Sequence, residues 1–370
     1  MTKPAAVQYI QDKVRSFGFK QWFLLTLNVV LVLCSIAALA GKSRVADTLD
    51  ALDGAERFKG DSDIRFAQEA CFMPVGQGKT EEDIWSFRQA LDGKLVEESM
   101  EAPENGKLYL DAYSGTSQVE LAAGKRTASV KAIGVGGEFF FFHPLKLLSG
   151  SYLSERDIMD DLVLLDEEMA WRLFGSPDLV GMELTINGQP FVVGGVISRE
   201  DDFATKKAFT EEGGIFMSYS AMQRLDENAQ ISCYEIVMPD PISGYAKNMM
   251  TEIFQTNGGD VVENSHRYGT FRLLGLVKEF GTRSMRTNGV IYPYWENAAR
   301  LTEDYAALLL ILAILTALCP LTFALVILVR LVIVTYRKAK TKIPEKVESA
   351  VERRREEKLE RKYEKKAKGE

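Results

Sequence analysis

Residues 132–197 read AIGVGGEFFFFHPLKLLSGSYLSERDIMDDLVLLDEEMAWRLFGSPDLVGMELTINGQPFVVGGVI. Three pieces of this stretch decide the fold class. Leu162-Val163-Leu164-Leu165 is a short apolar strand, and Glu167 to Phe174 has the length and spacing of a short helix. Met182 to Ile197 is a hairpin folded about Asn187-Gly188, because a two-residue turn with both φ angles positive favours that dipeptide. Strands and helices alternate in the same way on either side, which defines an α+β domain.

Upstream, Phe66 to Val75 reads as a strand. Thr80-Glu81-Glu82-Asp83 then opens a helix with a Thr80 cap and acids in its first turn. Trp85, Phe87, Leu91 and Leu95 give that helix an apolar side. Lys107 to Val135 is strand-like, with a turn at Gly124-Lys125. Downstream, Ile215 to Ser218 and Ile231 to Met238 are strands, and Ser243 to Phe254 is a helix. The run Phe139 to Phe142 is too short to span a membrane; it is either core or an exposed contact.

Two apolar runs bracket this domain. Trp22 to Ala40 is uncharged and 19 residues long, so as a helix it covers about 28 Å, close to the ~30 Å of a bilayer's hydrocarbon core. Tyr305 to Val329 is longer than one straight span requires, so tilt or a protruding end is expected. A cleaved signal peptide is the competing reading of the first run. Against it, 21 residues precede the run, and Lys42 and Arg44 follow where a small-residue cleavage site would stand.

Charge sets the expected orientation. Before the first run stand four Lys/Arg against one Asp; residues 337–370 hold 14 Lys/Arg against eight Glu. With a net charge of −7 overall, the middle of the chain carries −16. Basic flanks stay in the cytosol, so both ends are expected inside and the acidic middle outside. That acidity argues against nucleic acid, and against anionic lipid, as partners of the outer face. The expected division is a cytosolic amphipathic helix at 1–18 with Val7, Ile10, Val14 and Phe17 on one side, a transmembrane helix at 19–41, and an extracytoplasmic domain at 42–304. A second transmembrane helix at 305–336 and a charged helical tail at 337–370 complete it. The segment YPYWENAARLTEDYAALLL is expected to run unbroken into the second span, with Pro293 starting the helix.

Chemistry-bearing patterns are scarce. Gly76-Gln77-Gly78-Lys79-Thr80 resembles the end of a phosphate loop, but Met73 stands where that motif needs glycine, so the segment reads as a turn before a capped helix. His143 and His266 are far apart and no His/Cys metal spacing exists. No nucleophile motif appears, so no catalytic, metal or cofactor residue is expected and the chain is not read as an enzyme. Cys71 and Cys233 both lie in the outer domain; they are either a disulfide or two buried thiols in strands. In the spans, Asn28 is placed to hydrogen-bond across a helix interface or to sit partly solvated near the inner surface. Pro320 should kink its helix or open the backbone locally.

The quoted stretch resembles the core extracytoplasmic domain of MacB-type ABC transporter permeases, the group that includes FtsX-like proteins. The resemblance rests on linked elements in order: Gly-x-x-x-Phe-Phe before Leu147-Leu148-Ser149-Gly150, Asp157, the apolar strand, Ala170-x-x-Leu-Phe-Gly175, Val180-Gly181, and the Asn187-Gly188 hairpin closing at Phe191 to Ile197. It implies an ectodomain of two lobes, one from about 62–131 and 219–275, the other inserted at about 132–218. It implies a bacterial plasma-membrane protein that binds a cytosolic ABC ATPase and works as a homodimer or with a second permease subunit, for export or for mechanical signalling to an envelope partner. Arg337, Lys338, Lys340 and Lys342 stand where a coupling segment for that ATPase is expected. Family members usually have four spans, whereas here a charged tail follows the second apolar run. An ATP-independent, membrane-anchored binding or scaffold protein is therefore the alternative.

Overall fold

The computed structural model describes residues 18–60, 64–100, 106–155, 160–209, 213–256 and 258–367. The expected amphipathic helix at 1–18 and the motif position Asp157 lie outside these, apart from Gly18. The chain forms two compact units. One holds the residues up to Leu39 and from Ile311 onward; the other is Ala40–Leu310.

The second unit is built on one ten-stranded sheet. Its strands are β1 (Phe66–Phe72), β2 (Leu110–Ala123), β3 (Arg126–Gly137), β4 (Lys146–Gly150), β5 (Leu162–Asp166), β6 (Glu183–Ile186), β7 (Gln189–Ser198), β8 (Gly214–Ser218), β9 (Ile231–Pro239) and β10 (Asp260–Glu263). Their order is β10-β1-β9-β2-β3-β8-β5-β7-β4, with β6 bridging β2 and β7. Pairing is antiparallel except at β3–β8 and β5–β7. The β2–β3 ladder, Ala112–Ala123 against Arg126–Gly137, puts strand residues from both expected lobes into this one sheet.

Helices cover both faces of the sheet, which explains why central strands such as Leu162–Leu165 and Ile236–Met238 are apolar on successive residues rather than on alternate ones. On one face lie α3 (Glu81–Glu97), α5 (Glu167–Leu173), α7 (Tyr219–Leu225) and α8 (Tyr245–Ile253), which bury Leu91, Met169, Met222 and Met250. The other face takes α2 (Gly54–Lys59), the single turn α4 (Phe139–Phe142) and Trp295 from the last helix. The four-phenylalanine run is thus core: Phe139 and Phe142 are buried. The short α6 (Phe203–Ala208) packs Ala204 and Ala208 with Ala298 and Leu301.

Local signals act as their chemistry requires. Thr80 and Asp83 form a reciprocal capping box on α3. The buried side of that helix is Ile84, Phe87, Leu91 and Leu95, and Trp85 points outward at 62% exposure. The expected apolar side was therefore one residue off at its first position, because Ile84 completes the spacing of three and four that Phe87 and Leu91 continue. Asn187 and Gly188 both have positive φ, at 47° and 80°. Gly175 follows α5 with φ +80°, and its N–H donates to the carbonyls of Ala170 and Trp171, so the Leu-Phe-Gly ending of that motif is a helix stop.

Among the described residues two helices are long and apolar enough to cross a membrane: α1 (Phe19–Ala46) and the Tyr294–Ile333 part of the last helix, α10 (Tyr294–Ala367). The α10 helix begins after Pro293, as the sequence indicates, and continues without interruption through Pro320. The remaining helix, α9 (Thr270–Leu276), is continued by a 3-10 turn at Val277–Glu279.

Candidate transmission site

The first turns of α10 carry Glu296, Arg300 and Glu303, spaced four and three residues apart and so on one face of the helix. All three are buried. Arg267, from the loop after β10, makes a bidentate pair with Glu296, with Nη1–Oε2 and Nη2–Oε1 both 2.7 Å. Its Nε donates to Glu303 at 3.1 Å and its Nη1 to Asn264 Oδ1 at 3.1 Å. Arg300 Nε donates to Glu296 at 2.6 Å. Arg283 pairs with Glu303 and donates to Asp304 at 2.9 Å, while Arg272 lies 3.5 Å from Glu303.

Four guanidinium groups thus surround three carboxylates; Arg267, Arg283, Arg300, Glu296 and Glu303 are buried, while Arg272 and Asp304 at the margin keep some exposure. Removing such charges from water costs several kcal/mol per ion, so the cluster is tolerable only because nearly every group has a partner. Burial alone would lower the pKa of Arg267, but Glu296 and Glu303 more than offset it and the net shift is upward. Arg283 is likewise raised, with Glu303 overcoming its desolvation.

Neutral contacts fix the same turns. Asn297 Oδ1 accepts from Met285 N at 2.7 Å, and its Nδ2 donates to Tyr292 O at 2.9 Å. The Arg300 guanidinium stacks 3.7 Å over the Tyr292 ring. Trp295 packs against Phe139 and His143 at ring separations of 5.6 and 4.7 Å. His143 Nε2 is 2.6 Å from Glu235 Oε2, with both side chains buried. The Gly-x-x-x-Phe-Phe element therefore bears directly on the start of α10.

Beside these contacts lies a cavity of about 490 Å³. Phe209, Phe216, Tyr292 and Tyr294 line it together with Asp166 and Arg199. Asp166 caps α5 and also accepts from Gly214 N at 2.7 Å; burial raises its pKa against the pull of Arg199, 3.1 Å away.

The residues singled out from sequence fall elsewhere. Cys71 and Cys233 are both free and buried. They lie on paired strands, but Cys71 faces Tyr234 and Phe72 faces Cys233, so the two thiols are one register position apart. Successive residues point to opposite faces. Cys71 accordingly packs in one core cluster and Cys233 in the other. The disulfide reading is corrected to two buried thiols.

Asn28 is buried, and its Nδ2 donates to Leu24 O at 2.8 Å within its own helix. Between the two spans, Ser35 Oγ donates to Ala313 O at 3.0 Å. Serine is a common interhelical donor in membranes, and its position in the uncharged run was the signal available. Near Pro320, Thr316 Oγ1 donates to Leu312 O at 2.8 Å and Ala313 O at 3.1 Å. Arg337, Lys338, Lys340 and Lys342 fall within α10.

The class of molecule these features define is a membrane-anchored protein with a mixed α/β outer domain between two apolar helices. Residues 44–243 match the MacB-like periplasmic core domain, and the chain belongs to that family. It is a plasma-membrane protein whose central domain is extracytoplasmic. The chain is 28% identical over 142 residues to a macrolide export ATP-binding/permease protein, MacB 2 of Aeromonas hydrophila, covering 37% of this chain and 22% of that relative. Similar solved structures include the periplasmic region of MacB from Actinobacillus actinomycetemcomitans, at TM-score 0.40 and 18% identity, covering 55% of this chain and 92% of that one. The extracellular domain of the noncanonic ABC-type transporter YknZ from Gram-positive bacteria is another, at TM-score 0.36 and 14% identity, covering 53% and 98%.

Proposed function

We propose that this chain is the permease-like subunit of a bacterial MacB/FtsX-type ABC system, coupling a separate cytosolic ATPase to its outer domain for export or for mechanical signalling. The observation that carries this reading is the placement of Glu296, Arg300 and Glu303, held by Arg267 and Arg283, on the helix that also contains the apolar run Tyr305–Val329. A hydrogen-bonded helix transmits push and torque along its axis. Ion pairs at its outer end couple such motion to the sheet more tightly than apolar contacts, which slide. In this reading both termini are cytosolic, and the amphipathic helix at 1–18 lies on the inner membrane surface. The ATPase docks at Arg337, Lys338, Lys340 and Lys342 on the basic tail. Asn28 and Pro320 take part in packing with a second copy or a second permease subunit. The lobes at about 62–131 with 219–275 and at 132–218 present the outer surface to an envelope partner.

The test is affinity purification of the full-length protein from native membranes in mild detergent, with mass spectrometry of what accompanies it. An ABC ATPase in the preparation is expected. Its loss from every gently solubilised preparation would overturn the reading. A second reading, an ATP-independent membrane-anchored binding or scaffold protein, is favoured by the aromatic-lined cavity of about 490 Å³. It predicts partner binding by the full chain that ATP leaves unchanged.

A further inference from the structure

The helix α9 has two apolar sides. Leu273 is fully buried, and with Leu276 and Phe280 it packs on Ala306, Ala307 and Leu310 of α10. On the opposite side Phe271 stands 90% exposed, next to Leu274 at 37%, with Val277 at 39% on the flank. Positions 271, 274 and 278 fall on one helical face, which Lys278 completes. The helix cannot roll to hide Phe271. Arg272 donates to Glu263 O at 3.0 Å and reaches Glu303 at 3.5 Å, and Leu273 is locked beneath.

What covers the outer side follows from what holds the inner one. Ala306, Ala307 and Leu310 open the apolar run Tyr305–Val329, and Leu308 in the same turn is itself exposed. From Ala306 to Leu310 the helix rises only about 6 Å. A helix packed on those residues lies at the depth where a span leaves the hydrocarbon. Aromatic rings settle at this boundary, and a lysine stem reaches from it to the lipid phosphates.

We propose that α9 and the turn after it form an interfacial foot resting in the outer leaflet, with Phe271, Leu274 and Val277 at the headgroup–acyl boundary and Lys278 at the phosphates. The contact is mainly apolar, so the acidity of the outer domain does not oppose it. Through Arg272 and Glu303 the foot ties the ion network to the membrane surface. The foot presupposes that α10 crosses the bilayer, and the experiment separates the two.

The test uses the full chain in phosphatidylcholine nanodiscs, with Cys34→Ala and Cys319→Ala to remove the exposed thiols. A nitroxide is placed at Phe271→Cys, Leu315→Cys or Trp85→Cys, all exposed positions where the substitution leaves the core intact. Relaxation by oxygen and by a water-soluble nickel chelate is then compared. The oxygen-to-nickel ratio at position 271 should exceed that at 85 several-fold and fall below that at 315. A ratio at 271 equal to that at 85, with 315 still lipid-like, overturns the foot alone. Shielding of 271 from both reagents also overturns it, in favour of a second protein on this face. A water-like value at 315 overturns the membrane span and the foot together.

Discussion

Arg267 and Glu296 are joined by two parallel hydrogen bonds of 2.7 Å each, with the two side chains at 1% and 2% exposure. Breaking such a pair on one side is costly because the remaining charge stays buried. Arg267→Leu leaves Glu296 with Arg300 alone and deprives Glu303 of one donor. It should destabilise the outer domain by about 3–5 kcal/mol, a fall in Tm on the order of 10 °C. Arg267→Lys should not restore it, since one ammonium cannot serve both Glu296 oxygens, Glu303 and Asn264 together. Thermal unfolding in detergent reads both variants. A loss under 1 kcal/mol in Arg267→Leu would remove the network from the account of the fold.

Glu69 gives the stability of the outer domain a pH dependence. It is fully buried on β1 opposite Glu263, and neither carboxyl oxygen has a hydrogen-bond partner among the described residues. Burial, and then the charge of Glu263, push its pKa up to about 8 from an ordinary 4.5. The folded state therefore holds this proton longer than the unfolded chain does. Its contribution is complete below pH 4.5 and is lost as the pH rises toward 8, at up to about 1.4 kcal/mol per pH unit. Glu69→Gln should match the wild type near pH 5, exceed it at pH 8 and flatten the profile between. Urea midpoints across that range decide it; equal slopes in the two proteins would mean that another group titrates.

Gly150, which closes the Leu-Leu-Ser-Gly element, has φ +81°, and a Cβ there would lie 2.0 Å from Gly194 O. Gly150→Ala combines left-handed backbone strain with a clash against main chain, for a cost of about 2–4 kcal/mol. Gly188 at the hairpin tip shares the positive φ but has open space around it, so Gly188→Ala should cost about 1 kcal/mol. Chemical denaturation of the two variants side by side isolates the clash; equal losses would show that the close approach to Gly194 carries no weight.

What could be read in advance was local. The Thr80 cap, the Asn187-Gly188 turn and the helix start after Pro293 each depend on residues within four positions of one another. For Phe139 to Phe142 the sequence allows both core and an exposed contact, and the fold buries Phe139 and Phe142. The edge strands β4 and β10 are five and four residues long and exist only through their partners β7 and β1, so no periodicity announces them. The ion network draws on Asn264, Arg267 and Arg283 from irregular segments and on Arg272 from the short α9, which only the folded chain brings together. One part of it was legible. Glu296, Arg300 and Glu303 share a helix face just ahead of a membrane run, where unpaired charge is expensive, so they required partners. The spans carry less information still: an apolar run shows that it is long enough to cross, but not that Ser35 rather than Asn28 bonds the neighbouring helix.

Cys71 and Cys233 offer a direct check on the sheet register. If β1 and β9 pair as Cys71 with Tyr234, the thiols face opposite sides of the sheet and cannot bond in an oxidising compartment, however near their backbones lie. Burial pushes Cys71 up to about 12 and Cys233 well above its usual range, so neither should be a reactive thiolate in the folded protein. Alkylation of the native protein at pH 8 should spare both, whereas alkylation in denaturant without reductant should modify all four cysteines of the chain. The unfolding midpoint should be the same with and without a thiol reductant. Only two cysteines modified in denaturant, together with a midpoint that falls on reduction, would require β1 to slip by one residue. That slip would carry Phe72 from the cluster that holds Tyr292 and Trp295 into the one that holds Leu91 and Tyr234.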